Sequence, residues 1–237
     1  MLGVEAAVRT GVGMVRYLGA ERPSGLVLAR RPEVVTSVGR VQAWLVGSGT
    51  SAEDRSDRER RVLLDQLHSG VPVVLDAGAL DLVDEVAGPV IVTPHFRELA
   101  GMLQRAGVEV DAAAIAADAA GWARRAAERF EVCVLLKGAT TRVVAGDVAL
   151  EVGGSTPWLA TAGSGDVLGG VLGALLAGRS ADAEARGTAL SDLELASTAA
   201  AAAVLHAQAG ARASGGGPIA ALDIAEHLPR VVASLLE

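Results

Sequence analysis

The chain has 237 residues, which is enough for one α/β domain with a full hydrophobic core. Its net charge of −7 argues against nucleic acid or an acidic membrane surface as the main partner. The single cysteine, Cys133, lies in an apolar run and predicts a buried thiol in a reducing compartment. No segment has the roughly 18 strongly apolar residues of a membrane span, and the first residues show no secretory signal. We therefore expect a cytoplasmic protein without a membrane partner.

The apolar pattern predicts short strands that alternate with helices. Continuous apolar runs predict buried strands, at residues 14–18, 43–46, 71–75, 90–92 and 131–136. Amphipathic or alanine-rich segments predict helices, at residues 5–10, 58–68, 79–86, 97–105, 112–129, 190–209 and 219–236. Residues 141–145 and 148–152 predict a hairpin around a Gly-Asp turn, and residues 25–28 and 33–36 are candidates for short strands or loops.

Strands that alternate with helices predict a mainly parallel sheet with helices on both faces. Ligands bind such sheets beyond the carboxyl ends of the strands. Polar or glycine-rich clusters follow the predicted strands, namely Gly47-Ser-Gly49, Asp76-Ala-Gly78, Thr93-Pro-His95, Lys137-Gly138 and residues 163–166. Core packing does not require polar groups at every strand end, so these clusters predict an active-site crevice in a single domain.

A glycine-rich loop precedes a predicted helix in Thr161-Ala-Gly-Ser-Gly-Asp166, and we expect that helix to end at Gly178. A helix amino terminus offers free backbone N–H groups and a positive dipole end, which suit a phosphate. A carboxylate there has two interpretations. Asp166 is either an ordinary helix N-cap, or a general base that takes the proton of a hydroxyl attacking a phosphoryl group.

Two more clusters have both a structural and a functional interpretation. Lys137 follows a strand, where it is either a solvated end charge or a phosphate-binding cation, and the spacing of a Walker loop is absent. His95 begins a helix, where it caps the helix together with Glu98 or hydrogen-bonds a substrate. No second histidine or cysteine lies at ligand spacing, so the sequence predicts no zinc site. No Gly-x-Ser-x-Gly elbow supports a serine hydrolase.

These motifs together resemble one known family. Val92-Thr-Pro-His95-x-x-Glu98, Leu136-Lys-Gly-x-x-Thr141 and Ala160-Thr-Ala-Gly-Ser-Gly-Asp166-Val-Leu-Gly-Gly are similar to the ADP-dependent NAD(P)H-hydrate dehydratases, which belong to the ribokinase-like superfamily. Arg9-Thr-Gly-Val-Gly-Met-Val15 and Trp44-Leu-Val-Gly-Ser-Gly49 resemble two further family segments. The resemblance implies a ribokinase-like three-layer sandwich over residues 1–237. It also implies that the family's N-terminal strand and substrate loop are absent from this chain.

The resemblance also implies roles for individual residues. Substrate-binding residues would be Gly47, Gly49, His95 and Asp166. Nucleotide-binding residues would be Lys137, Gly138, Ala139, Thr140, Thr141, Gly163, Ser164 and Gly165. Asp166 would be the catalytic base, deprotonating the C6 hydroxyl of the hydrated nicotinamide as that hydroxyl attacks the β-phosphate of ADP. Loss of the resulting phosphate ester would restore NAD(P)H.

The resemblance further implies a set of cofactors and partners. ADP or ATP would be the co-substrate and Mg²⁺ would assist, with no protein side chain assigned as a metal ligand. A homotetramer would act on NAD(P)H hydrate, with an NAD(P)H-hydrate epimerase as a functional partner. Two alternatives stay open from the sequence. In the first, the chain is a ribokinase-like kinase of a thiazole, pyrimidine or sugar alcohol. In the second, it is a nucleotide-binding protein without turnover.

Overall fold

The computed structural model of the chain describes residues 1–50, 52–53 and 55–236. Its α-helices are α1 Leu2–Thr10, α2 Glu21–Arg30, α3 Asp57–Leu67, α4 Phe96–Arg105, α5 Ala112–Ala117, α6 Ala119–Phe130, α7 Ser164–Arg186, α8 Asp192–Ser214 and α9 Ala221–Leu236. Its strands are β1 Trp44–Val46, β2 Val73–Leu75, β3 Val90–Val92, β4 Cys133–Leu136, β5 Thr141–Ala145 and β6 Val148–Val152. Short 3-10 helices cover Ala77–Glu85 and Pro157–Leu159.

The strands form one sheet in the order β1-β2-β3-β4-β5-β6. The first four strands pair in parallel, while β5 and β6 form the antiparallel hairpin that the sequence predicts. The prediction of a mainly parallel sheet is confirmed. Because β1 to β4 are parallel, their carboxyl ends lie at one edge of the sheet, where ligands of such folds bind.

Two hydrophobic cores lie on opposite faces of this sheet. Helices α7, α8 and α9 pack on one face, where Leu172, Leu176 and Ile224 are fully buried. Helices α4 and α6 pack on the other face around Leu99 and Met102. Strand residues point alternately into the two cores, so both faces are covered and the strands are continuously apolar. This is the three-layer sandwich expected from the sequence.

The first forty residues differ most from the predicted elements. Residues 25–28 lie in helix α2 and not in a strand or loop, with Val27 as the buried residue of that helix. A short apolar run fits either element, and here Pro23 in the first turn suits a helix. Residues 14–18 make one parallel bridge, Arg16 to Val35, in place of the predicted strand.

Two predicted helix boundaries are also wrong. The segment 112–129 is two helices, because the carboxylate of Asp118 accepts a hydrogen bond from the N–H of Gly121 at 3.0 Å and so caps a new helix. Helix α7 continues past Gly178 to Arg186. A glycine ends a helix when it adopts a left-handed conformation, and Gly187 does so, with φ at 66°.

A buried carboxylate connects the first two helices. Glu5 in α1 is fully buried and pairs with Arg9 at 3.0 Å, with Arg30 at 2.8 Å and with Arg31. Burial alone would raise the pKa of Glu5, but the hydrogen bonds from Arg31, Arg30 and Arg9 lower it to about 2. The ion pairs therefore hold α2 against α1. None of the described helices is long and apolar enough to cross a membrane.

Candidate active site

The amino terminus of α7 presents unpaired backbone donors. Gly163, with φ at 84°, is the N-cap, and the helix begins at Ser164. Among the described residues, no backbone or side-chain acceptor forms a hydrogen bond with the N–H groups of Gly165 and Asp166. Two free donors at the positive end of a 23-residue helix form a site that can bind an anion.

The carboxylate of Asp166 lies in this first turn without capping it. Asp166 is the third residue of α7, and the N-cap position belongs to Gly163, so the N-cap interpretation is wrong. The hydroxyl of Ser48 donates a hydrogen bond to Oδ1 of Asp166 at 2.5 Å. Asp166 is partly exposed, and Oδ2 accepts no hydrogen bond from the described residues, so this oxygen can accept a proton from a bound hydroxyl.

The loop after β1 brings Ser48 to Asp166. Gly47 has φ at 101°, and a β-carbon there would overlap the backbone oxygen of Asp76. Only glycine permits this close approach of the β1 and β2 loops. Gly49 has φ at 71° and faces open space. The predicted substrate loop therefore lies beside the predicted catalytic carboxylate.

Lys137 extends from the end of β4 to the same place. Its Nζ lies 2.9 Å from Oδ1 of Asp76 and 3.6 Å from Oε2 of Glu98. Asp76 is 2% exposed and also accepts a hydrogen bond from the hydroxyl of Thr93 at 2.7 Å. A β-carbon on Gly165 would lie 3.5 Å from the lysine nitrogen. Lys137 is therefore a fixed cation next to the free amides of α7 and not a solvated end charge.

His95 caps helix α4, as one interpretation of the sequence predicts. Its Nδ1 accepts a hydrogen bond from the backbone N–H of Glu98 at 3.1 Å. The backbone N–H of His95 in turn donates to the carboxylate of Glu98 at 2.7 Å. The ring is 52% exposed, and Nε2 contacts no partner among the described residues. His95 also forms a parallel bridge with Lys137. Capping thus fixes the ring through Nδ1 and leaves Nε2 free for a ligand.

The remaining predicted nucleotide-binding residues form the turn between β4 and β5. Gly138 packs close to the ring of Phe96, where a β-carbon would lie 3.1 Å from that ring. Ala139 and Thr140 line a cavity of about 290 Å³, and Thr141 is the first residue of β5. These residues offer backbone groups and the hydroxyls of Thr140 and Thr141 to a ligand.

Three residues of the site were not identified from the sequence. Ser48 and Asp76 lie in the clusters at strand ends, which is the signal that could have identified them. His206 in α8 lies 3.0 Å from the hydroxyl of Ser164, through Nε2. That contact joins residues 42 positions apart, so no local pattern indicates it. The predicted residues Gly47, Lys137, Gly165 and Asp166 are brought together.

Comparison with known proteins identifies relatives over nearly the whole chain. A family model described as NAD(P)H-hydrate dehydratase matches residues 1–230. The bifunctional NAD(P)H-hydrate repair enzyme of Corynebacterium glutamicum is 36% identical across 99% of this chain and 44% of its own length. The ADP-dependent (S)-NAD(P)H-hydrate dehydratase of Neisseria meningitidis is 34% identical across 75% of this chain and 64% of its own length. The chain thus spans less than two thirds of the length of these curated relatives.

Solved structures share the fold, and one of them is a dehydratase. The ADP/ATP-dependent NAD(P)H-hydrate dehydratase of Bacillus subtilis, crystallised with ATP and Mg²⁺, superposes with a TM-score of 0.80 at 22% identity. The match covers 98% of this chain and 85% of the Bacillus chain.

Proposed function

The chain belongs to the NAD(P)H-hydrate dehydratase family, and on this basis we propose that its crevice restores hydrated NAD(P)H at the expense of ADP. The reaction would be carbon–oxygen lyase chemistry, with NAD(P)H, AMP and phosphate as products. The observation that carries the proposal is the position of Asp166. Its carboxylate lies in the same helical turn as two free amide donors, with a fixed lysine close by. The carboxylate would deprotonate a hydroxyl, and the amides and the lysine would bind a phosphate.

The geometry supports a separate role for each residue in the proposed reaction. Ser48 holds Oδ1 of Asp166, which leaves Oδ2 to take the proton from the C6 hydroxyl of the substrate. The hydroxyl oxygen then attacks the β-phosphorus of ADP, and the bond from that phosphorus to the bridging oxygen of AMP breaks. The amides of Gly165 and Asp166, together with Lys137, stabilise the charge that develops on the phosphoryl oxygens. The lone pair of the ring nitrogen then expels the phosphate, and loss of a proton from C5 of the resulting iminium ion forms the C5–C6 double bond of NAD(P)H.

Substrate and nucleotide would occupy opposite sides of Asp166. The Gly47–Gly49 loop and the exposed Nε2 of His95 would contact the hydrated nicotinamide, where His95 donates or accepts one hydrogen bond. Residues 137–141 and 163–165 would contact the nucleotide, mainly through backbone groups. ADP, as in the name of the Neisseria relative, is the proposed co-substrate, with ATP as the alternative.

Magnesium would enter with the nucleotide. The described residues contain no group of three or more His, Cys, Asp or Glu side chains that could hold a metal ion. The carboxylate of Asp76 already pairs with Lys137 and Thr93. Mg²⁺ commonly keeps several waters and binds substrate phosphates with few protein ligands, and this donor set fits that mode. The ion would reduce the negative charge of the phosphates.

A cavity of about 530 Å³ supports the proposal that a further strand completes the sheet. The N–H of Tyr17 and the C=O of Val15 form hydrogen bonds with the backbone of Val35. The backbone N–H and C=O of Arg16, which lies between them, therefore point away from Val35. By the same alternation those of Leu45 point away from β2. Arg16 and Leu45 both line the cavity. We propose that an extended, mainly apolar segment, corresponding to the family's N-terminal strand, pairs with both edges there.

Hydrogen exchange tests this sheet completion. In a longer chain that supplies the segment, exchange at the amides of Arg16 and Leu45 should slow by at least tenfold relative to residues 1–237 alone. The amide of Leu103, a buried position of α4 in the core on the other face of the sheet, should exchange at the same rate in both chains. Equal exchange of Leu45 in the two chains would contradict the proposal.

Assembly and location are further parts of the proposal. We propose a cytoplasmic homotetramer, on the resemblance to the family, and light scattering after size-exclusion chromatography tests the tetramer. The Corynebacterium relative is a bifunctional repair enzyme, which supports an epimerase of NAD(P)H hydrate as the functional partner.

Asp166→Asn tests the proposed reaction. With hydrated NADH and ADP, recovery of the absorbance of the reduced ring should fall by roughly 10²–10⁴-fold, the usual contribution of a general base. Binding of ADP, measured by calorimetry, should change little. Asp182→Asn is the control, since Asp182 is an exposed aspartate of the same helix. Unchanged turnover in Asp166→Asn would exclude Asp166 as the base. Phosphorylation of an added alcohol, without recovery of NADH, would indicate a kinase.

A further inference from the structure

A buried polar contact lies directly behind the amino terminus of α7. The hydroxyl of Ser164 and Nε2 of His206 are 3.0 Å apart. Ser164 is 5% exposed and His206 is 8% exposed, so solvent contributes little to either group. The two residues come from different helices, α7 and α8, and the contact therefore fixes one helix relative to the other.

The histidine is neutral in this position. Burial lowers the pKa of His206 to about 4, with a further lowering by the cation of Lys137, against the opposite effect of a hydrogen bond with the backbone of Ser164. A neutral imidazole has one donor and one acceptor nitrogen. The pair is therefore a neutral hydrogen bond that adds no charge near the amides.

An apolar side chain would fill the same space at lower cost. The buried face of α8 is otherwise mainly alanine, including Ala199, Ala202 and Ala209. A buried polar group that loses its partner costs roughly 1–3 kcal/mol, so removal of the Ser164 hydroxyl takes from Nε2 of His206 the side-chain partner it has in this structure. Packing alone does not explain why both halves of the pair are polar.

The position of Ser164 gives the contact its significance. Ser164 is the first residue of α7, and the residues after it are Gly165 and Asp166, which carry the two free amides and the carboxylate. The side chain of Ser164 faces His206 and not the crevice, and its own N–H donates to Thr161 at 3.2 Å. Holding Ser164 thus orients the whole first turn toward the crevice.

We propose that His206 is a positioning residue, which holds Ser164 so that the amides of Gly165 and Asp166 converge on a nucleotide phosphate. Without the contact, the first turn of α7 adopts several orientations, and the amides bind the phosphate less tightly. The inference rests on the proposed function for the identity of the anion, ADP. It does not depend on the reaction that follows.

A double-mutant cycle on ADP binding tests the inference. Ser164→Ala and His206→Leu should each raise the dissociation constant for ADP about tenfold, measured by calorimetry. The double variant should bind ADP no more weakly than the weaker single variant, a coupling of about 1.4 kcal/mol. His206→Gln can place an amide near the position of Nε2, and its ADP affinity should recover to within about threefold of the parent chain.

Thr198→Val is the matched control. Thr198 is a buried polar residue of α8 whose hydroxyl bonds within its own helix, to the carbonyl of Glu194 at 2.6 Å. This variant should lower the melting temperature and leave ADP affinity unchanged. If His206→Leu behaves in the same way, or if the effects of the two single variants on ADP affinity add fully, the positioning role is overturned.

The outcome is independent of the proposed reaction. Coupled loss of ADP affinity in a chain that never restores hydrated NADH would support the positioning role and refute the dehydration. Restored NADH without coupling between the two variants would support the dehydration and refute the positioning role. Ser164→Ala removes one oxygen atom only. If His206→Leu fails to fold, an unchanged ADP affinity in Ser164→Ala still overturns the positioning role.

Discussion

The two glycines of the loop after β1 allow a matched test of why Ser48 meets Asp166. Gly47 and Gly49 both have positive φ, at 101° and 71°. They differ in what an added β-carbon would meet. At Gly47 it would overlap the backbone oxygen of Asp76 and lie 2.6 Å from the β-carbon of Ala79, whereas at Gly49 nothing lies within 4 Å.

The expected free-energy changes follow from this difference. Either alanine substitution places an L-residue at positive φ, which costs roughly 1–2 kcal/mol. Gly47→Ala adds an overlap with backbone that cannot rotate away, and overpacking of this kind costs roughly 1–3 kcal/mol more. We therefore expect a loss of unfolding free energy of about 1–2 kcal/mol for Gly49→Ala and about 2–5 kcal/mol for Gly47→Ala.

Urea unfolding at neutral pH measures both changes. In Gly47→Ala the loop must also move away from β2, which displaces Ser48 from Asp166, so turnover should fall by about tenfold or more. Equal destabilisation by the two substitutions would refute the reasoning, because it would show that the close approach to Asp76 contributes nothing.

Three further predictions concern groups that can carry charge. Glu5→Gln should lower the unfolding free energy by roughly 2–3 kcal/mol at pH 7: a pKa lowered from 4.5 to about 2 corresponds to about 3.4 kcal/mol, less solvent screening at the partly exposed arginines. Urea unfolding that matches the parent chain would contradict it. Lys137→Ala should weaken ADP binding at least tenfold by calorimetry, against Arg129→Ala as control, and an unchanged affinity would remove Lys137 from the nucleotide site. The pKa of His206 is about 4 when folded and 6.5 when unfolded, so the unfolded chain binds one more proton between these values. Stability should therefore fall by about 1.4 kcal/mol per pH unit on acidification through that window, and His206→Gln should lose this slope. If the unfolding free energies of the parent chain and His206→Gln depend on pH in the same way, the prediction is wrong.

Local sequence signals predicted the parts of the fold with strong patterns. Buried strands such as β2 and β4, and the hairpin around the Gly146 turn, were identified because continuous apolar runs and turn residues are local properties. Helix α2 was missed because one buried residue, Val27, gives a weak helical pattern. The break at Asp118 was missed because the alanines on both sides fit a continuous helix equally well.

The sequence by itself determined the fold class and the residues that could do chemistry, because glycine-rich loops and polar residues after buried strands are readable in order along the chain. It left Asp166 with two interpretations. Tertiary structure excluded the N-cap, because that position belongs to Gly163. It also brought Ser48, 118 positions away, and Lys137, from the end of β4, to the same helical turn, and these neighbours support the proposed role as a base. It alone also revealed His206 behind Ser164. A carboxylate becomes a base or a cap through the groups around it, and those groups are neighbours only after the sheet has assembled.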